Sequence, residues 1–417
     1  MKPLDGLRYG ALGFPLAFVA LPLYVTLPAH YAQQYGVALA ALGAVLLGAR
    51  LFDALVDPWI GRLADRWLNR RSPLAPMAAA ALLLALGFVL LFFPPALSQA
   101  GYLGWCAATL VLSYLGYSVL AVMHQAWGAR LGGDGLQQTR VVAWREGLAL
   151  AGVISASLLP SLLGMAWTSA ALALGLLLGL ALLLRAPRAR PSERSVAEQG
   201  LALAWRTPGF RRLLLVFLLN GIAAAIPATL LLFFVRDRLQ TPAAEGLYLA
   251  SYFVAAALSM PLWLRVVARL GQAHAWLAAM LLAVLSFAWA SSLAAGDQLG
   301  FVLVCLASGA ALGADLAIPG ALLAGVVQGA GLAGRAEGVF FGWWNFANKL
   351  NLALAAGLAL PLLQWLGYAP GQRDPAALQA LTWAYCLLPC ALKLAAAGAL
   401  YVLIIKPEQE AVSCAPN

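Results

Sequence analysis

Apolar residues in this chain come in long, nearly unbroken stretches. They lie near positions 9–29, 36–60, 75–94, 101–124, 142–164, 166–185, 212–235, 247–268, 275–294, 299–327, 338–366 and 378–404. Each is close to the roughly 20 residues that a helix needs to cross hydrocarbon. In lipid the backbone has no water to bond to, so a spanning segment satisfies its N–H and C=O groups internally, as a helix. The pattern predicts an all-α integral membrane protein with twelve transmembrane helices. The stretches divide six and six around Pro187–Arg212, a segment rich in Arg, Pro, Ser and Glu that reads as a linker. The expected organisation is a six-helix bundle over 1–186, a cytoplasmic linker over 187–211, a second six-helix bundle over 212–404 and a cytoplasmic tail over 405–417.

Loop charges orient the spans. Arg62, Arg66, Arg70 and Arg71 follow the second span, Arg130 and Arg140 the fourth, Arg265 and Arg269 the eighth, and Arg335 the tenth. The central segment adds Arg188, Arg190, Arg194, Arg206, Arg211 and Arg212. Opposite loops hold Arg236, Arg238 and Arg373, partly balanced by Asp237, Glu245 and Asp374. The positive-inside rule places both termini in the cytoplasm, in a bacterial-type inner membrane. Met1–Arg8 leads straight into a full span, so no cleavable signal peptide is expected.

Composition sharpens the class. Only 10% of residues are charged and 63% are hydrophobic, against roughly a quarter charged in soluble domains. The net charge of +10 is accounted for by the loop arginines; a nucleic-acid partner would require a basic face on a soluble domain. The expected partners are a small-molecule substrate and membrane lipid, with no nucleic acid, and the chain is read as a monomer. Five cysteines show no CxxC pairing, and three histidines leave little for a His-based metal centre. Phosphate-loop, HExxH and GxSxG signatures are absent. No enzyme activity and no cofactor are expected, beyond a coupling ion.

The charges inside spans carry the chemistry. Arg50, Asp53 and Asp57 lie in an apolar run and fall on one helix face at i, i+3 and i+7. Ionisable groups at that depth are costly, and by default they mark a functional site. Two carboxylates one turn apart cannot both stay ionised without compensation; a bound Na⁺ would hold both charged, and a proton would neutralise one. Oxygen-only donors suit a hard cation, so Asp53 and Asp57 are candidate Na⁺ ligands as well as proton acceptors. A static Arg50–Asp clasp is the bland alternative. Lys349 in the eleventh span is a second buried charge, expected to respond to those carboxylates or to snorkel to an interface. Asn345 and Asn348 beside it favour a cavity, and Trp344 joins them as a substrate-route candidate. Asp315 in the tenth span either lines that cavity or bonds a kinked backbone. Tyr117, His124 and Arg145 complete the substrate-route set, although a lone His such as His124 is commonly structural. Arg145 and Glu146 are adjacent and are read as pointing to different faces. Lys393 in the last span is read as snorkelling or pairing locally.

Gly61, Asp65, Arg66 and Arg70 close the second span. They resemble the cytoplasmic motif of the major facilitator superfamily, whose two six-span halves the chain also resembles; there Asp and Arg pair across the halves and are remade in each cycle. The corresponding eighth-span stretch, Trp263 to Gly271, lacks the Asp.

More specifically, the chain resembles the glycoside–pentoside–hexuronide:cation symporters, the melibiose permease-like family. The resemblance rests on Tyr9-Gly-Ala-Leu-Gly13, on Arg50-x-x-Asp53-x-x-x-Asp57-Pro58, on Trp127 through Arg145-Glu146, and on Gly334-Arg335-Ala336-Glu337-Gly338 followed by Lys349. It implies that Asp53 and Asp57 form the coupling-cation site, that Lys349 sits beside it, that Arg145 is near the cavity, and that transport is by rocking alternating access without ATP. Sugar-binding members carry an Asp where this chain has Phe14-Pro15, and another in the fourth helix, where it has Ala121 to His124. Acids at the end of their tenth span are replaced by Gly325 and Gln328. A Na⁺- or H⁺-coupled symporter of a sugar or other small organic solute is the leading expectation. A lysolipid or amphiphile transporter on the same fold is the alternative, and an integral-membrane enzyme acting on lipid-linked substrates is a remote one.

Overall fold

The computed structural model describes residues 1–69, 73–188, 200–369, 371–372 and 374–413. These are helical almost throughout, with no strand among the described residues. The helices are α1 (Pro3–Gly10), α2 (Gly13–Phe18), α3 (Leu27–Tyr35), α4 (Leu39–Leu68), α5 (Leu74–Phe92), α6 (Gln99–Ala129), α7 (Gly135–Leu184), α8 (Ala202–Arg206), α9 (Pro208–Phe233), α10 (Glu245–Leu270), α11 (Gln272–Ala290), α12 (Gln298–Gly329), α13 (Glu337–Trp365), α14 (Pro375–Thr382), α15 (Leu388–Leu400) and α16 (Lys406–Ser413). Among the described residues, 11 helical segments are long and apolar enough to cross a membrane. Adding α4, whose 30 residues also exceed the bilayer requirement, gives the twelve that the sequence predicts.

The fifth and sixth spans are one continuous stretch, α7, broken at Gly164 with φ 81° and ψ 174°. That backbone conformation is essentially confined to glycine, so this single residue divides a 50-residue segment into two spans. The linker reading needs one adjustment. Residues 202–206 form the short α8, and α9 begins at Pro208, a proline whose fixed φ suits the first helical turn. The central residues 189–199 fall outside the described residues.

The chain forms two compact units. One comprises Met1–Arg206 with Ala324–Phe346, and the other Thr207–Leu323 with Ala347–Asn417. In the first, α4 packs on α6, α5 on α6, and α1 and α2 on α7. A Cβ at Gly13 would meet the Arg145 carbonyl oxygen at 2.5 Å, so the absence of a side chain sets how closely α2 approaches α7. In the second unit, α15 packs on α9 and α11, around a core that includes Phe234, Tyr248, Phe301 and Tyr385.

Helix α4 has the reverse of a soluble amphipathic pattern. Leu47, Leu51, Leu55 and Trp59 form an exposed row at four-residue spacing, whereas Asp53, Asp57, Gly61 and Asp65 form a buried one. Lipid solvates the leucines, and the polar groups turn inward to find partners.

Candidate functional site

Asp53 and Asp57 are 2% and 0% exposed. The Ser118 hydroxyl on α6 donates to Asp53 Oδ1 at 2.7 Å, and Tyr117 lies within electrostatic reach of both carboxylates. Arg50 stacks its guanidinium 4.0 Å from the centroid of the Tyr24 ring, a cation–π contact. The site thus combines two acids with a hydroxyl ligand and nearby phenols. Among the described residues no group of three or more His, Cys, Asp or Glu could hold a metal. The oxygen-only donor set fits a hard monovalent cation or a proton and gives no ligand set for a transition metal.

Beside this pair stands a second polar group. Tyr9 OH donates to the His124 carbonyl at 2.9 Å, and His124 Nε2 lies 2.8 Å from the Tyr9 carbonyl oxygen. The acceptor there is a carbonyl, so Nε2 carries the proton in this arrangement. The two rings are 4.5 Å apart. His124 is wholly buried in this reciprocal clasp between α1 and α6. The expectation that Arg145 and Glu146 diverge is corrected: Arg145 Nη2 and Nε bond Glu146 Oε1 at 2.6 and 2.9 Å. Adjacent helical Cβ atoms do point apart by about 100°, but Arg has enough rotatable bonds to fold back onto its neighbour. The pair lies within electrostatic reach of Tyr9.

At the cytoplasmic-motif end, Asp65 accepts from the backbone N–H of Gly338 at 2.8 Å and of Val339 at 2.9 Å. It therefore caps the first turn of α13, where the helix dipole favours an anion. Arg130 Nη2 bonds Asp65 Oδ1 at 2.9 Å, its Nε bonds Glu337 Oε2 at 3.0 Å, and its Nη1 bonds Asn69 Oδ1 at 2.9 Å. A Cβ on Gly61 would lie 2.1 Å from the Gly338 carbonyl oxygen, so α4 and the start of α13 touch backbone to backbone. Of the motif residues Gly61, Asp65, Arg66 and Arg70, the first two sit in this cluster. Arg66 is exposed in the last turn of α4, and Arg70 lies outside the described residues. The ion-pair partner of Asp65 shown here is Arg130, which the sequence reading counted as an ordinary loop charge. Glu337 was missed in the same way; the available signal was its position in Gly334-Arg335-Ala336-Glu337-Gly338.

Gln125 and Asn345 exchange amide hydrogen bonds at 3.2 and 3.0 Å. Trp344 is buried, Lys349 is half-buried and Asn348 is exposed, all on α13. In the second unit Asp315 joins Lys393, Asn220 and Trp276. Lys393 Nζ bonds Asp315 Oδ2 at 2.7 Å and Asn220 Oδ1 at 2.8 Å. Asn220 Nδ2 and Trp276 Nε1 donate to Asp315 Oδ1 at 3.0 and 2.8 Å. Lys393 is 4% exposed; pairing holds over snorkelling.

Twelve long helical spans among the described residues, grouped in two units with buried acids and charge-paired helix ends, define an all-α, multi-pass membrane protein. The profile of the family described as MFS/sugar transport protein matches residues 7–406, and the chain belongs to that family. It is 26% identical over 281 residues to the inner membrane symporter YicJ of Escherichia coli (strain K12), covering 63% of this chain and 61% of that protein. It is 27% identical over 154 residues to the putative glycoside/cation symporter YagG of the same organism, covering 37% of this chain and 34% of YagG. The chain thus spans about three-fifths of YicJ and a third of YagG. A bacterial homologue of the iron transporter ferroportin, in an outward-facing state, has the same fold, with TM-score 0.71, 16% identity, and coverage of 97% of this chain and 99% of that one. The transporter FucP matches with TM-score 0.67, 14% identity, and coverage of 95% and 99%. These relatives and fold neighbours are transporters, not enzymes.

Proposed function

We propose that the protein is a symporter that drives a small organic solute across the bacterial inner membrane with a Na⁺ or H⁺ gradient, by alternating access and with both termini cytoplasmic. The observation that carries this reading is the pair of buried carboxylates, Asp53 and Asp57, one turn apart on the inward row of α4. Two acids at that depth are held ionised by a cation and lose charge to a proton. Both routes make their state depend on the coupling ion. The names of YicJ, an inner membrane symporter, and YagG, a putative glycoside/cation symporter, support the same reading. A sugar or glycoside is the substrate class that the family description and the name of YagG favour.

The test is uptake by proteoliposomes under an imposed Na⁺ or pH gradient, after a thermal-stabilisation screen of glycosides, organic anions and lysolipids has supplied the solute. Asp57→Asn is expected to abolish gradient-driven accumulation while leaving solute exchange. Full accumulation in that variant removes Asp57 from the coupling site. Cation-independent movement of a lysolipid would replace the symporter with an amphiphile transporter.

A further inference from the structure

The second unit holds a partly open cavity of about 140 Å³ whose walls include Tyr248, Tyr252, Phe287, Phe301 and Tyr385. Tyr385 stacks on Phe234 at 4.1 Å between centroids, and Tyr248 meets Phe301 edge-on at 4.7 Å. These packed rings fix the shape of the walls. The volume is comparable to engineered apolar cavities that take up one benzene ring. Asp315 and Lys393 border the same cavity. The polar end keeps some hydrogen-bond capacity for a guest. Asp315 Oδ1 already accepts from Asn220 and Trp276, and Oδ2 from Lys393. The Lys393 ammonium has three protons, of which Asp315 and Asn220 take two. Among the described residues, no protein group bonds the hydroxyl of Tyr252 or of Tyr385. The unspent capacity is one ammonium proton on Lys393, a pure donor, together with two phenol hydroxyls that can donate or accept, all set in aromatic walls. The ion pair is already balanced, so an anionic guest would bring uncompensated charge into a buried site.

We propose that this cavity is a binding site for a neutral, ring-sized group carrying one oxygen acceptor, such as a hydroxyl or carbonyl, with the ring against Tyr252, Phe287 and Phe301 and the oxygen on the Lys393 ammonium. The site stands whether or not Asp53 and Asp57 carry the coupling ion.

The probes are 4-fluorophenol and fluorobenzene, followed by fluorine NMR on the purified full-length protein with detergent partitioning subtracted. Saturable 4-fluorophenol binding about tenfold tighter than fluorobenzene is expected, the factor corresponding to one net hydrogen bond. Ala228 borders the cavity and is exposed, so Ala228→Leu narrows it without disturbing the core and should abolish binding of both probes. The double variant Lys393→Met with Asp315→Asn removes both charges together and should erase the preference while keeping fluorobenzene binding. Equal affinities in the unaltered protein would make the cavity a purely apolar pocket and overturn the proposal. Binding that survives Ala228→Leu would also overturn it.

Discussion

Asp65→Asn tests how firmly the end of α4 is fastened to the start of α13. The substitution keeps the shape and removes the charge. Asp65 accepts from Gly338 N, Val339 N and Arg130 Nη2, all at 2.8–2.9 Å. The amide keeps one acceptor oxygen and sets an NH₂ against a backbone N–H or against the guanidinium. Hydrogen bonds to charged groups contribute roughly 1.5–3 kcal/mol each, and breaking a buried ion pair costs about 3–5 kcal/mol. Glu337 remains to neutralise Arg130, so the lower end applies, about 3 kcal/mol. For a unit of this size that corresponds to a melting shift of roughly 6–12 °C. Cys106 is fully buried in the same unit, and its alkylation by a maleimide along a temperature ramp, read by mass spectrometry, reports the loss of that packing. Arg140→Gln is the control, because Arg140 is exposed in the same unit and such surface changes stay within about 0.5 kcal/mol. A Cys106 midpoint that falls by under about 2 °C in Asp65→Asn, or by no more than in the control, would refute the argument that Asp65 fastens these helices.

Further predictions concern other parts of the chain. Gly164→Ala places a Cβ on a residue at φ 81° with nothing within 4 Å, so its cost is backbone strain alone, about 1–3 kcal/mol, measurable as a lower melting midpoint; an unchanged midpoint would mean that the α7 break tolerates an L side chain. Tyr368, in the loop after α13, donates to the Asp237 carboxylate, and burial together with that carboxylate raises its pKa above 10.0. A raised folded pKa means that this contribution is complete below pH 10 and is lost as pH climbs through the folded value; melting curves at rising alkaline pH should show a decline that Tyr368→Phe reduces, and identical pH profiles would count against it.

The parts of the site that were legible in the sequence are those where a residue type contradicts its surroundings. Asp53 and Asp57 interrupt an apolar run, and on a helix their shared face follows from spacing alone. The twelve spans were legible for the same reason, since lipid leaves the backbone no alternative to helix. Arg130 and Glu337 were not, because a charge at the end of a span is expected there whatever its partner. The Asp315–Lys393 pair was hidden differently. Its members stand 78 positions apart in separate helices, and a Lys in a terminal span reads by itself as a snorkelling side chain. Arg145 and Glu146 show the limit of helical-wheel reasoning, which fixes where Cβ points and leaves the end of a long side chain free.

Helix α4 joins the two functional ends of the first unit. Its inward row runs Asp53, Asp57, Gly61, Asp65 at steps of four residues, so the second acid and the helix-capping acid are separated by about 12 Å of continuous helix. Along that row α13 lies against α4 without intervening side chains. A Cβ on Gly342 would sit 2.6 Å from the Asp57 carbonyl oxygen, and one on Gly338 would sit 2.2 Å from that of Gly61. Contacts this close leave no slack for one helix to move while the other stays. Under the proposed function, a displacement of α4 that accompanies a change of charge at Asp57 is therefore felt at the Asp65–Arg130–Glu337 cluster. The coupling needs no additional relay residue, only the stiffness of one helix and two glycines opposite it.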